Sequence, residues 1–91
     1  MEPDIHHEEG KRYFIQFGNE RAELSYEETG KTRDFRHTYV PEQLRGQGIA
    51  ERLVRHALDD SLLKGYTFKA TCPYVEGFVQ KHPQYRKGLA A

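Results

Sequence analysis

A chain of 91 residues makes one small domain with a single core, burying roughly 60 to 65% of the surface its unfolded form exposes. The 14 Lys and Arg balance the 14 Asp and Glu, so there is no global basic field for nucleic acid or an anionic membrane, and only local patches remain open. No apolar run approaches the about 18 residues of a spanning helix, no charged-then-apolar leader opens the chain, and the single cysteine, Cys72, has no internal disulfide partner. The expectation is a cytoplasmic protein that touches neither nucleic acid nor membrane.

The stretch MEPDIHHEEG, residues 1–10, is polar and aperiodic and reads as a flexible leader ahead of a domain over 11–91. His6, His7, Glu8 and Glu9 are metal-ligating types, but adjacent residues point different ways and no partner cluster follows, so no metal is assigned. The segment from Lys11 to Val40 alternates as strands do. Tyr13, Ile15 and Phe17 share one face. After a Gly18-Asn19 turn, Ala22, Leu24 and Tyr26 share a face of a second strand, and Gly30 marks the turn into a third, from about Thr32 to Val40. Pro41 cannot donate to a ladder and ends it.

From Ile49 the apolar residues Ile49, Ala50, Leu53, Val54, Ala57, Leu58 and Leu62 recur at spacings of three and four, with Glu51, Arg52, Arg55, Asp59 and Asp60 opposite, which predicts an amphipathic helix. Glu51 and Arg55 form an i, i+4 pair of the favoured orientation, and Lys64-Gly65 supplies a basic end and a C′ glycine. YTFKAT, residues 66–71, is then a strand, and a right-handed crossover sets it parallel to the third. Cys72-Pro73 opens a short helix with Val75, Phe78 and Val79 on one face, ending at His82 because Pro83 disfavours helix before it. The tail QYRKGLAA carries no signal. The fold class is α/β: a three-stranded antiparallel meander, a crossover helix, a parallel fourth strand and a short second helix.

The long helix has an unusual start. QLRGQGIAERL, residues 43–53, places two glycines and no Ser, Thr, Asp or Asn before Ile49, although a helix start leaves about four N–H groups without internal partners. In a strand–loop–helix unit these groups carry about half a positive charge and favour an anion, while Gly46 and Gly48 permit close approach. The same glycines could equally make a turn whose amides bind water. A triphosphate loop requires GxxxxGK[ST], which is absent, and the dinucleotide pattern GxGxxG would need a small residue where this chain has Glu51.

Gln43-Leu44-Arg45-Gly46-Gln47-Gly48 resembles the Q/R-x-x-G-x-G/A acetyl-coenzyme A signature of the GCN5-related N-acetyltransferases, placed between a strand and its crossover helix. HTYVPEQLRGQGIAERL followed by TCPYVEGFVQKHPQY is similar to the two characteristic segments of a compact subgroup of that family, and the resemblance runs from about Lys11 to Tyr85. It implies that the amides of Leu44, Arg45, Gly46, Gln47, Gly48 and Ile49 hold the coenzyme A pyrophosphate, with the Gln43 and Arg45 side chains nearby. It also implies that Val40 offers backbone groups to the acetyl or pantetheine portion. The implied activity is acetyl transfer from acetyl-coenzyme A to an amine, of a small molecule or a protein. Other family members carry N-terminal helices that help bind the acceptor, so here that site should be open or completed by a partner protein. Two alternatives stand beside the enzyme: a non-catalytic coenzyme A-binding module, and an interaction domain whose loop binds nothing.

Pro73 fits the first helical position, which makes Cys72 the N-cap, at the C-terminal end of the strand parallel to the one feeding the glycine loop. A helix start favours thiolate, whereas a lone cysteine is commonly a small buried apolar residue. The resemblance includes a recurring Cys here, which makes Cys72 a candidate for acyl transfer or for an acid. Direct attack of the amine is preferred because it is the family's habit. His37, three residues before Val40, is a candidate general base, or else a packed strand residue. Tyr74 and Phe78 are either channel or core, and Lys81, His82, Arg86 and Lys87 either meet nucleotide phosphates or form a solvated face.

Overall fold

The computed structural model describes residues 4–90. Their elements in chain order are β1 (His6–Glu8), β2 (Arg12–Phe17), β3 (Glu20–Thr29), β4 (Thr32–Tyr39), α1 (Ile49–Leu63), β5 (Thr67–Ala70) and α2 (Pro73–Lys81). The strands form one sheet in the order β1-β2-β3-β4-β5, antiparallel up to β4, with β5 parallel to β4 through the α1 crossover. The expected meander, crossover helix, parallel strand and short second helix are all present, with one strand more.

That strand comes from the segment expected as a flexible leader, whose first three residues lie outside the described residues. Residues 6–8 pair with 12–14, His7 opposite Tyr13. Alternation across the pleat puts His7 on the core side, where its ring stacks on Tyr13 at 4.0 Å between centroids and its Nε2 lies 2.6 Å from the Tyr26 hydroxyl. His6 stacks on Phe14 on the other face. Partners distant in sequence therefore order a segment that has no periodicity of its own.

α1 lies across one face of the sheet. Leu53, Val54, Ala57 and Leu58 are fully buried against Tyr13, Ile15, Ala22, Leu24 and Phe35, each large aliphatic side chain contributing about 1.5–3 kcal/mol. The buried face of α1 also takes in Ser61, which the expected stripe did not include and whose hydroxyl donates to the Ala57 carbonyl at 2.7 Å. The opposite face of the sheet is mostly polar, carrying Arg12, Gln16, Arg21, Glu23 and Lys69 around Phe14, whose ring Arg21 covers at 3.9 Å. After α2 the chain turns through a short 3-10 helix, Pro83–Gly88. There Gly88 lies so close to Phe68 and Leu62 that any side chain would collide with them, and Ala90 N–H donates to the Phe68 carbonyl at 2.8 Å.

One irregularity decides which residues face α1. Tyr26 pairs with Phe35, but Ser25 pairs with His37, leaving Arg36 as an extra residue in β4. Such a bulge reverses the facing of everything beyond it. Thr38, opposite Leu24, turns to the helix side and His37 to the exposed side. Among the described residues no helix is long and apolar enough to cross a membrane.

Candidate functional site

β4 ends before Pro41, and the chain enters a 3-10 turn, Glu42–Leu44. The Leu44 amide donates to the Pro41 carbonyl at 2.9 Å and the Arg45 amide to the Glu42 carbonyl at 3.2 Å. These two amides, expected to face the pyrophosphate, are thus spent inside the loop, because a 3-10 turn closes on carbonyls three residues back. The Arg45 Nε donates to the Val40 carbonyl at 2.9 Å, which ties the loop to the strand end.

Beyond Arg45 the pattern changes. Gly46 and Gly48 adopt φ of 83° and 77°, the left-handed region that a side chain makes costly. Gly48 is the N-cap of α1 without any capping side chain, and the first amide to close on the helix is that of Arg52, on the Gly48 carbonyl at 3.0 Å. The amides of residues 46–51 consequently have no acceptor among the described residues. A Cβ built on either glycine would meet nothing within 4 Å, so the space before them is open.

That space is a cleft of about 430 Å³, within the ordinary range for a small-molecule site. Thr38, Tyr39 and Val40 from the end of β4, Leu44, Arg45, Gly46 and Gly48 from the loop, Ile49 and Ala50 from α1, and Tyr74 from α2 line it. One wall is strand edge. β4 pairs with β5 only through Phe35 opposite Ala70; past that point β5 gives way to α2 while β4 runs on to Tyr39, so the backbone groups on this side of 37–39 have no strand partner. Arg45 makes no ion pair among the described residues and leaves a positive charge beside the bare amides. Burial, and then the Glu51 carboxylate, push the Tyr74 phenol up from its ordinary value, so Tyr74 is a protonated donor at neutral pH.

The structure gathers Val40, Leu44, Arg45, Gly46, Gly48 and Ile49 on this cleft, and leaves Gln43 and Gln47 exposed and off its wall. Cys72 is the α2 N-cap as expected, with its N–H on the Phe35 carbonyl at 2.9 Å. Its sulfur caps nothing; it is buried, 3.3 Å from the Thr38 hydroxyl, with Thr38 on the cleft wall and Cys72 behind it. His37 is not brought to the cleft: the bulge at Arg36 turns it onto the opposite, exposed face, where its carbonyl accepts from the Ser25 hydroxyl. Tyr74 is on the wall while Phe78 is core, stacked on His82 at 4.2 Å. Lys81 and His82 border a smaller cleft that shares Tyr74 with the first, whereas Arg86 lies in another groove, beside Leu89. Thr38 and Tyr39 went unnoticed in the sequence, although both belong to the quoted HTYVPEQLRGQG segment. No group of three or more His, Cys, Asp or Glu side chains is placed to hold a metal among the described residues.

A family model described as GCN5-related N-acetyl-transferase matches residues 12–88. Protein NATD1 of Danio rerio is 37% identical over 87 residues, covering 89% of this chain and 79% of that protein. Protein NATD1 of Homo sapiens is 35% identical over 91 residues, covering 93% and 80%. A GCN5-like protein from Staphylococcus aureus, solved by NMR in solution, superposes with a TM-score of 0.75 at 20% identity, over 97% of this chain and 88% of that one; at that identity the likeness is one of fold.

Proposed function

The chain belongs to the GCN5-related N-acetyltransferase family, and from that premise we propose that it binds acetyl-coenzyme A in the cleft before α1 and passes the acetyl group to a primary amine. One observation carries the reading: Gly46, Gly48, Ile49 and Ala50, whose amides have no acceptors of their own among the described residues, border the cleft at the positive end of α1, with Arg45 beside them. Such a cradle fits a diphosphate, since each amide donates to a fixed oxygen and the helix dipole favours the charge. The family generally uses acetyl-coenzyme A, which supplies an activated thioester.

The residues then divide the work. The loop amides and Arg45 anchor the phosphates. The unpaired β4 edge from 37 to 39 and the Val40 amide are positioned for the amide groups of an extended chain lying in the cleft. In the transfer the amine nitrogen forms a bond to the acetyl carbon and gives up one proton to water, while the carbon–sulfur bond breaks and its electron pair goes to sulfur. Tyr74, protonated at neutral pH, is a cleft donor able to return a proton to that sulfur, and it regains one from water. Cys72 supports Thr38 from behind, and the His37 side chain, on the other face of the sheet, takes no part.

A coenzyme A-binding module without turnover is the second reading. It has one observation in its favour: among the described residues the cleft wall carries no His, Asp, Glu or Lys, so the amine must reach it already deprotonated. Calorimetry with acetyl-coenzyme A, followed by assay of free thiol with a panel of amines, separates the two. Thiol release above background supports transfer; micromolar binding with none supports the module. Gly46 and Gly48 amide shifts that stay put on titration with coenzyme A overturn both.

A further inference from the structure

At the opposite end of α1 from the cleft, Arg33 is fully buried and serves as the hub of a polar cluster. Its Nη1 donates to the Tyr13 hydroxyl at 2.7 Å and to the Ser61 hydroxyl at 3.1 Å, its Nε to Glu28 at 3.2 Å and its Nη2 to Glu9 at 3.3 Å. Asp60 stands 3.7 Å from Nη1 and accepts from the Tyr13 hydroxyl at 2.6 Å. His7, from the three-residue edge strand, closes this cluster on the β1 side.

The hydrogen bonds favour one state of His7. The Tyr26 oxygen accepts from the Gly10 amide at 2.9 Å, and the acceptor within reach of its own proton is the His7 Nε2, 2.6 Å away. That pairing takes a neutral ring with its proton on Nδ1, 3.6 Å from Asp60, while Nε2 also stands 3.6 Å from Glu9. A second proton, on Nε2, would leave the buried Tyr26 hydroxyl accepting from both neighbours with no acceptor for its own proton. Every neighbouring element contributes a group: Tyr13 stacks on the ring from β2, Tyr26 bonds it from β3, Arg33 lies behind it on β4, and Asp60 and Lys64 approach from the end of α1. Glu9 approaches from the turn after β1. Arg33 and Lys64 oppose protonation while Asp60 and Glu9 favour it. Burial, the largest influence, lowers the ring's affinity for a proton, and the balance leaves it below an ordinary histidine.

We propose that His7 is a proton-operated latch, holding β1 on the sheet edge while neutral and releasing it when protonated. β1 has only three paired residues; besides His7 it is held by Ile5 against the core and by two contacts on the solvent side, His6 on Phe14 and Glu8 on Arg12, and so short an edge opens at low cost. Since neutral His7 is favoured in the closed form, the latch is fully engaged above the ordinary histidine value of about 6.5 and weakens as pH falls through the lower value of the closed form. Release would uncover the backbone edge of β2 at 12–14, ready to pair with another extended segment. This device is independent of acetyl transfer.

Amide hydrogen exchange by NMR on the whole chain, from pH 7.5 to 5 and corrected for intrinsic rates, tests it. Protection at residues 6–8 and 12–14 should fall several-fold across this range while β3–β4 amides keep theirs. His7→Phe, which keeps the stack but takes no proton, should remove the pH dependence. Protection of β1 that ignores pH in the unaltered protein, or a dependence that survives in His7→Phe, overturns the latch. Should that variant fail to fold, ring-nitrogen shifts of the unaltered protein serve instead: His7 must titrate below the ordinary histidine value of about 6.5, and a midpoint at or above that value equally overturns the latch.

Discussion

Thr38 on β4 and Cys72 at the start of α2 face each other across the gap where the two parallel strands part, with oxygen and sulfur 3.3 Å apart. The contact closes the base of the cleft and leaves the thiol engaged behind Thr38. Cys72→Ala should therefore keep turnover within a few-fold, lose about 1 kcal/mol of stability to the vacated volume and the lost hydrogen bond, and carry no acetyl group by mass after exposure to acetyl-coenzyme A. Abolished turnover together with an acetylated unaltered protein would instead make Cys72 the acyl carrier.

Gly48→Asp tests the anion cradle. The residue would have to hold φ near 77°, costing about 1–2 kcal/mol of stability, and its carboxylate would stand beside the bare amides. Coenzyme A affinity should fall at least about tenfold, equal to about 1.4 kcal/mol. Calorimetry on the folded variant measures this; unaltered affinity removes the loop from the site.

Tyr74→Phe keeps the ring on the cleft wall and deletes only the proton donor. The rate constant for transfer should drop about 10²-fold while the KM for acetyl-coenzyme A stays nearly constant. A rise in KM with unchanged kcat would make Tyr74 a binding residue.

Arg33→Met removes a buried cation from among Glu28, Glu9 and Asp60. Glu28, Glu9 and Asp60 keep access to water and Asp60 keeps Lys64, so the cost is that of the lost charged hydrogen bonds inside the fold, about 1–3 kcal/mol, read from urea unfolding. Arg33→Lys should recover little, because one ammonium cannot span partners on four elements as a guanidinium does.

Asp60 predicts the acid limit of the fold. Burial by itself would raise its carboxyl, but the Tyr13 hydroxyl, then Lys64 and His7, outweigh it and hold the group below the ordinary carboxylate value. A depressed folded value stabilises above the unfolded pKa of about 3.9 and is lost as pH falls through the folded one. Asp60→Asn should lower stability at pH 7 and flatten its decline below about pH 4, measured by urea unfolding across a pH series.

Local patterns in the sequence carried the greater part of the fold. The three-and-four spacing from Ile49 to Leu62, the alternation of 13–17 and 22–26, the Cys72-Pro73 helix start and the uncapped Gly46-Gln47-Gly48 loop each act over one or two turns, so their periods and backbone demands are written in adjacent residues. Tertiary structure alone decided the rest. The extra residue at Arg36 has no mark of its own in the sequence, yet it exchanges His37 for Thr38 on the helix side. Leu44 and Arg45 lose their amides to a turn whose closure depends on Pro41. His7 and Arg33 look like solvated surface until Tyr13, Tyr26 and Asp60 close round them. A side chain's facing, and the partners of a buried charge, are set by long-range pairings that cost chain entropy to form and leave no period in the residues nearby.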